Sequence, residues 1–366
     1  MILGAVGDAL GFPVEAGAVE SIERFVSWKL KGEVVKEGEY SDDTQLTLAT
    51  ARSIWNGRFH PDYFAYVELP LWIYYQRGAG KSTKKAAMNL FSMRIQWDGN
   101  FYIGYEGAGG SGGVMRIHPI VEKIKSDEDM VEDIFKNIMI THGHPMAFAG
   151  AYLVAAASRS ERNLEAVSEK FNRLSKLVED LLNGSQEISR WLKERKNDFV
   201  RGFQSEVEKL SRLLNLVSEA SGYSEYCSLV GEKNHPGSGR GVSLCAVYLY
   251  LNFKPRDAVF KAANEKGTDT DTIASIVGNL FRHSGDLDDL SSKVQDRCYI
   301  EFLEKFEGRE RYSDRKEIRD WAMEYENRLK KGQIPTSHPI FGGLELVESR
   351  GKRNFFKTEE GQTILL

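Results

Sequence analysis

The chain has 366 residues, 41% of them hydrophobic, enough for a large core in one big domain or two smaller ones. A net charge of −4, with acids and bases balanced, sets up no global field directed at nucleic acid or an acidic membrane. Cys227, Cys245 and Cys298 stand in no metal-ligand spacing and read as reduced core residues of a cytoplasmic protein. The apolar N-terminus lacks the basic region of a signal peptide, and no apolar run reaches the ~18 residues of a membrane span.

Residues 1–14 read MILGAVGDALGFPV, with small residues at positions 4, 5, 7, 9 and 11, and predict a first helix packed very closely on its neighbours. Asp8 and Glu15 are acids in or beside this apolar element, where a carboxylate needs a partner or a task. Pro13 is expected to break the helix just before Glu15, leaving that side chain on a loop or helix end. On its residues alone, Glu15 reads rather as a surface acid after a turn. A polar, glycine-bearing connection then leads to Glu39-Tyr40-Ser41-Asp42-Asp43-Thr44-Gln45 and on into Leu46, Leu48, Ala49, Ile54 and Trp55. Acids and hydroxyls thus open an apolar helix.

Residues 64–75 are aromatic-rich and read as helix, ending at Arg77-Gly78-Ala79-Gly80-Lys81. A second glycine loop, Gly107-Ala108-Gly109-Gly110-Ser111-Gly112-Gly113, precedes Val114-Met115-Arg116-Ile117. Such loops let backbone N–H groups approach a phosphate closely, although neither matches the Walker or dinucleotide fingerprints. Thr141-His142-Gly143-His144-Pro145 comes before a small-residue helix over 147–157. With no further ligands nearby, His142 reads as a capping or ligand-contacting side chain and His144 as ordinary surface.

Residues 160–226 become charged and amphipathic, predicting a peripheral helical pair with one packing stripe. A third glycine loop, Pro236-Gly237-Ser238-Gly239-Arg240-Gly241, leads into an apolar helix over 242–250, and Pro255 opens another helix running towards 269. Beyond Asp286 the chain reads as helix to about 331. Alternation over 342–366 with a turn near Gly351 predicts a terminal β-hairpin, so that 1–341 forms a helical domain and 342–366 a tail. Everything else reads helical.

Gly267-Thr268-Asp269-Thr270-Asp271-Thr272 directly precedes the apolar stripe Ile273, Val277, Leu280 and Phe281. A helix N-terminus accepts acids, and an oversupplied N-cap is one reading of this cluster. The other is a set of hard oxygen ligands for a cation of the Mg or Mn type. A second cluster of the same kind, at Ser41-Asp42-Asp43-Thr44, favours the cation.

Taken in order, Gly7-Asp8-Ala9-Leu10-Gly11 with Glu15, the Glu39–Gln45 motif, Gly112-Gly113-Val114-Met115-Arg116, Thr141-His142 and the Gly267–Thr272 motif resemble the ADP-ribosylglycohydrolases over roughly residues 1–283. The resemblance implies an all-α orthogonal helical bundle with two Mg2+ or Mn2+ ions at the bottom of a cleft. It implies that Ser41, Asp42, Asp43, Asp269, Asp271 and Thr272 ligate the ions and that Glu15 is catalytic. Gly78, Gly80, Gly107, Gly109, Gly110 and Ser111 fall on loops that hold ADP-ribose, and His142 on a ligand-contacting histidine. Ser41 stands where the family usually has Thr, Ser111 where it commonly has Asn, Thr268 where Gly is usual, and Met1 falls partway into the family's first helix.

The implied activity is metal-dependent release of ADP-ribose from an acceptor such as modified arginine, by a cytoplasmic protein expected to be a monomer. A non-catalytic relative that binds ADP-ribose or serves structurally, and a metal-dependent phosphohydrolase, are the other readings.

Overall fold

The computed structural model describes residues 1–92, 95–306 and 315–366. It is predominantly helical, with a small C-terminal antiparallel sheet, as expected. The centre is a pair of apolar helices, Ile2–Glu15 and Thr270–Leu280, crossed by Pro255–Asn264. Their contact explains the small residues of the first helix. A Cβ on Gly7 would sit 2.1 Å from the Ala274 carbonyl oxygen, and one on Gly11 2.4 Å from that of Thr270. Backbone meets backbone there, and any side chain would force the helices apart. Thr270 uses the proximity to donate its hydroxyl to the Gly11 carbonyl at 2.9 Å.

Pro13 does not break the first helix, which continues to Glu15. It stands in the last turn, and the N–H groups of Ala16, Gly17 and Ala18 close that turn on the carbonyls of Phe12, Val14 and Pro13. The hydrogen bond that Pro13 forgoes is therefore a single one at the helix end. Glu15 projects from a helix end rather than from a loop.

Two stretches read as connection or helix are short hairpins instead. Trp28–Leu30 pairs with Glu33–Val35 across Lys31 and Gly32, at φ 50° and 93°. Ile54–Trp55 pairs with Arg58–Phe59 across Asn56 and Gly57, at φ 51° and 70°. Two consecutive residues at positive φ are what a two-residue hairpin turn matching the strand twist requires. The apolar helix opened by the first acidic motif ends at Arg52, so Ile54 and Trp55 lie beyond it.

The helix Pro255–Asn264 stops short of the second acidic motif. In the 160–226 region, Leu164–Gly184 and Lys196–Asn215 form the expected pair, with a short helix, Gln186–Leu192, between them. The pair packs on Pro145–Ser158, with Phe199 against Phe148 and Phe203 against Tyr152, and buries Val167, Phe171 and Leu174.

His144 is half-buried rather than ordinary surface, and it caps Pro145–Ser158 by accepting from Met146 N at 3.1 Å. Helices Arg297–Lys305 and Arg315–Lys330 follow the bundle, and the expectation of helix over 307–314 lies outside the described residues. In the tail, Gly342–Arg350 and Arg353–Thr358 form the expected hairpin about Gly351 at φ 63°. Ser337–His338 and Thr363–Leu365 extend it to four strands. Among the described residues, no helix is long and apolar enough to cross a membrane.

Candidate active site

The first acidic motif is drawn onto the central helix by Asp8. Its carboxylate is fully buried and accepts from Ser41 N at 2.9 Å, Thr44 N at 2.9 Å and the Thr44 hydroxyl at 2.6 Å. These bonds bring the start of the helix Asp42–Arg52 beside the Ile2–Glu15 helix. The second motif arrives on the Thr270–Leu280 helix, packed against the same element. Carboxylate oxygens of Glu15, Asp269 and Asp271 then lie within 4.8 Å of one another.

A cavity of about 220 Å³ opens over this convergence. Of the acids expected at the site, Glu15, Asp42, Asp43, Asp269 and Asp271 line it, with Thr272. Gly78, Gly80, Gly110, Ser111 and His142 complete the wall from the glycine loops and the histidine motif. Three expected residues are not in the wall. Ser41 spends its hydroxyl as a helix cap, accepting from Asp43 N at 3.2 Å. Gly107 and Gly109 form a turn preceding the wall, where Gly109 N donates to the Gly107 carbonyl at 3.0 Å.

Sequence reasoning missed other contributors. Lys81, Ser82 and Thr83, opening the helix after Gly80, face the cavity, as do Gly112 and Met115. Gly237 of the third glycine loop lines it too, tied to the second loop by Ser111 N to the Gly237 carbonyl at 2.8 Å. Buried Glu232 accepts from Gly237 N at 2.8 Å and from Asp269 N at 3.2 Å, joining that loop to the second acidic motif. Nothing local marked it out: it is one acid ahead of a Pro-Gly turn.

The electrostatics are those of acids crowded out of water. Burial, then Asp8 and Glu15, hold Asp42 well above the carboxylate range; burial, then Asp8 and Asp42, do the same for Asp43. Asp271 is raised by burial and by Glu15 and Asp43. Glu15 is an exposed residue at the rim, yet desolvation of its carboxyl and the charge of Asp269 push it up to about 7. Glu232 is pushed to about 8, by burial and then Asp269.

A divalent cation is what such a set fits. Asp43 Oδ1 is buried with no hydrogen-bond partner among the described residues, an acceptor left over after the protein's own donors are used. Every donor atom offered is a carboxylate or hydroxyl oxygen, which suits hard cations of the Mg or Mn type.

Next to Gly112 and Met115 of the wall, buried Arg116 donates to the Asn137 side chain at 2.9 Å, the Gly112 carbonyl at 2.8 Å and the Thr141 hydroxyl at 2.7 Å. The Thr141 hydroxyl lies 2.8 Å from His142 Nδ1. Burial and then Arg116 lower the His142 pKa to about 3, so the ring is neutral at ordinary pH.

A sequence model of the ADP-ribosylglycohydrolases matches residues 1–282, and the chain belongs to that family. It is 29% identical over 305 residues to an uncharacterised protein of Archaeoglobus fulgidus, covering 76% of this chain and 84% of that one. Its fold resembles a solved ADP-ribosylglycohydrolase-related protein complex, with a TM-score of 0.52 at 20% identity over 83% of this chain and 93% of the other. Membership supports a glycohydrolase of this family.

Proposed function

We propose that the protein is a divalent-cation-dependent hydrolase that cleaves the glycosidic bond between ADP-ribose and an acceptor. The observation that carries this reading is the convergence of Glu15, Asp42, Asp43, Asp269 and Asp271 on one cavity walled by glycine loops. Asp42, Asp43, Asp269, Asp271 and Thr272 are the residues that would hold two Mg2+ or Mn2+ ions. When bound, such ions supply fixed positive charge for ribose hydroxyls and make a bound water more acidic.

The protein's own groups supply the rest. The backbone N–H groups of Gly78, Gly80, Gly110 and Gly112 suit a diphosphate, and Lys81 adds a cation to that wall. The neutral His142 ring offers a hydrogen-bonding group to the ligand. Glu15, with a carboxyl at about 7, is suited to accept a proton from the attacking water and return it to the departing acceptor. The water oxygen bonds to the anomeric carbon as the bond to the acceptor breaks, through a cation-like centre.

The test is release of ADP-ribose from arginine-, serine- and nucleotide-linked substrates, with MgCl2 or with EDTA. Magnesium-dependent release from at least one substrate is expected. No release from any of them, with phosphate freed from a phosphoester instead, would replace this reading with a phosphohydrolase.

A further inference from the structure

The strands of 342–366 lie outside the matched residues 1–282, yet they reach the segments just before both ligand-facing motifs. Arg350, buried, forms an ion pair with buried Glu39 at 2.6 Å. Glu39 stands two residues before Ser41. It also meets Arg77 at 3.4 Å, and Arg77 donates to the Tyr40 carbonyl at 3.0 Å. Arg353 pairs with Glu33 at 2.6 Å and donates to the carbonyl of Gln76 at 3.2 Å, two residues before Gly78.

The same segment grips the first motif's helix elsewhere. Tyr40 donates its hydroxyl to Asp296 at 2.6 Å, and that carboxylate also receives Thr363 N at 2.9 Å. At the far end of the helix, Arg52 donates to the Gln362 side chain at 2.7 Å. Segment 342–366 therefore holds the Asp42–Arg52 helix at both ends and the first glycine loop at its start.

Resting on the functional reading above, we infer that Arg350 and Arg353 are positioning residues for that site. Arg350 acts through Glu39 on Ser41-Asp42-Asp43, and Arg353 acts through the Gln76 carbonyl on the Gly78–Gly80 loop. A buried ion pair adds little net stability over an apolar pair, so what it adds here is a single geometry. The arginine forks tie one backbone segment to another in a way a lysine cannot reproduce. Displacements on the order of 1 Å are enough to disable a ligand set.

The experiment measures two affinities on the full chain by calorimetry: MgCl2 alone, and ADP-ribose at saturating MgCl2. Arg350→Lys keeps the charge against Glu39 but loses the fork, and should weaken magnesium about ten-fold with ADP-ribose affinity within two-fold. Arg353→Ala should do the reverse, weakening ADP-ribose about ten-fold and sparing magnesium, with Arg353→Lys falling between. A loss of folded fraction alone would leave both affinities unchanged in the molecules that remain folded. Folded variants with wild-type values for both ligands overturn the inference. Arg353, whose side chain reaches the surface, decides the matter alone if the Arg350 variant does not fold. Wild-type protein that binds neither ligand would overturn the functional reading itself.

Discussion

Asp8 accepts both the backbone N–H and the hydroxyl of Thr44, at 2.9 and 2.6 Å, from inside an otherwise apolar helix. This buried carboxylate answers the question raised by an acid in an apolar stretch, and it makes the approach of the first acidic motif a property of the first helix. Asp8→Ala would leave Ser41 N, Thr44 N and the Thr44 hydroxyl without their acceptor. A destabilisation of roughly 2–4 kcal/mol is expected in urea unfolding, together with weakened magnesium binding. A variant with wild-type stability and magnesium affinity would remove Asp8 from this role.

Glu15→Gln keeps size and hydrogen bonding but removes the titratable group. Turnover should fall by about a hundred-fold or more, while ADP-ribose binding survives because the loops and the other acids are untouched. Near-normal turnover would end the assignment of Glu15 as the proton carrier.

The acid cluster makes stability depend on pH and metal together. The Glu15 carboxyl is raised from 4.5 to about 7, so the native state keeps its proton to higher pH than the unfolded chain does. Its contribution is full below about 4.5 and is lost as pH rises through about 7. Asp42, Asp43 and Asp271 are raised in the same direction. Cations compete with these protons, so the rise in Tm on adding MgCl2 should grow between pH 5 and pH 8 (~3 pH units of proton competition). A shift that shrinks with rising pH would contradict this cluster as the binding site.

Gly7 tests the close helix pair. A Cβ there would meet the Ala274 carbonyl at 2.1 Å, so Gly7→Ala must separate the Ile2–Glu15 and Thr270–Leu280 helices. A loss of about 1–3 kcal/mol or more is expected, with lowered activity because the same two helices carry Glu15 and Asp271. An unchanged unfolding midpoint would show that the contact is looser than described.

What the sequence made legible was local. Acids and hydroxyls before an apolar stripe marked both acidic motifs, since capping and dipole effects act within one turn. Glycine runs marked the loops, and Asn56-Gly57 is a hairpin signal that was there to read. Pro13 misled because a proline's cost depends on which bond it removes, and at the last turn that is a single one. Glu232 and Arg350 could not be found this way. Each acts on a residue 37 or more than 300 positions distant, and such pairings leave no periodicity.

The central claim is that the two acidic motifs jointly hold divalent cations in one cavity. Anomalous diffraction from crystals grown with MnCl2 tests it most directly. Two peaks about 3.5–4 Å apart are predicted among Asp42, Asp43, Asp269 and Asp271, and both should weaken in Asp269→Ala. A map with no peak in that cavity, or with peaks only at surface carboxylates, would contradict the account.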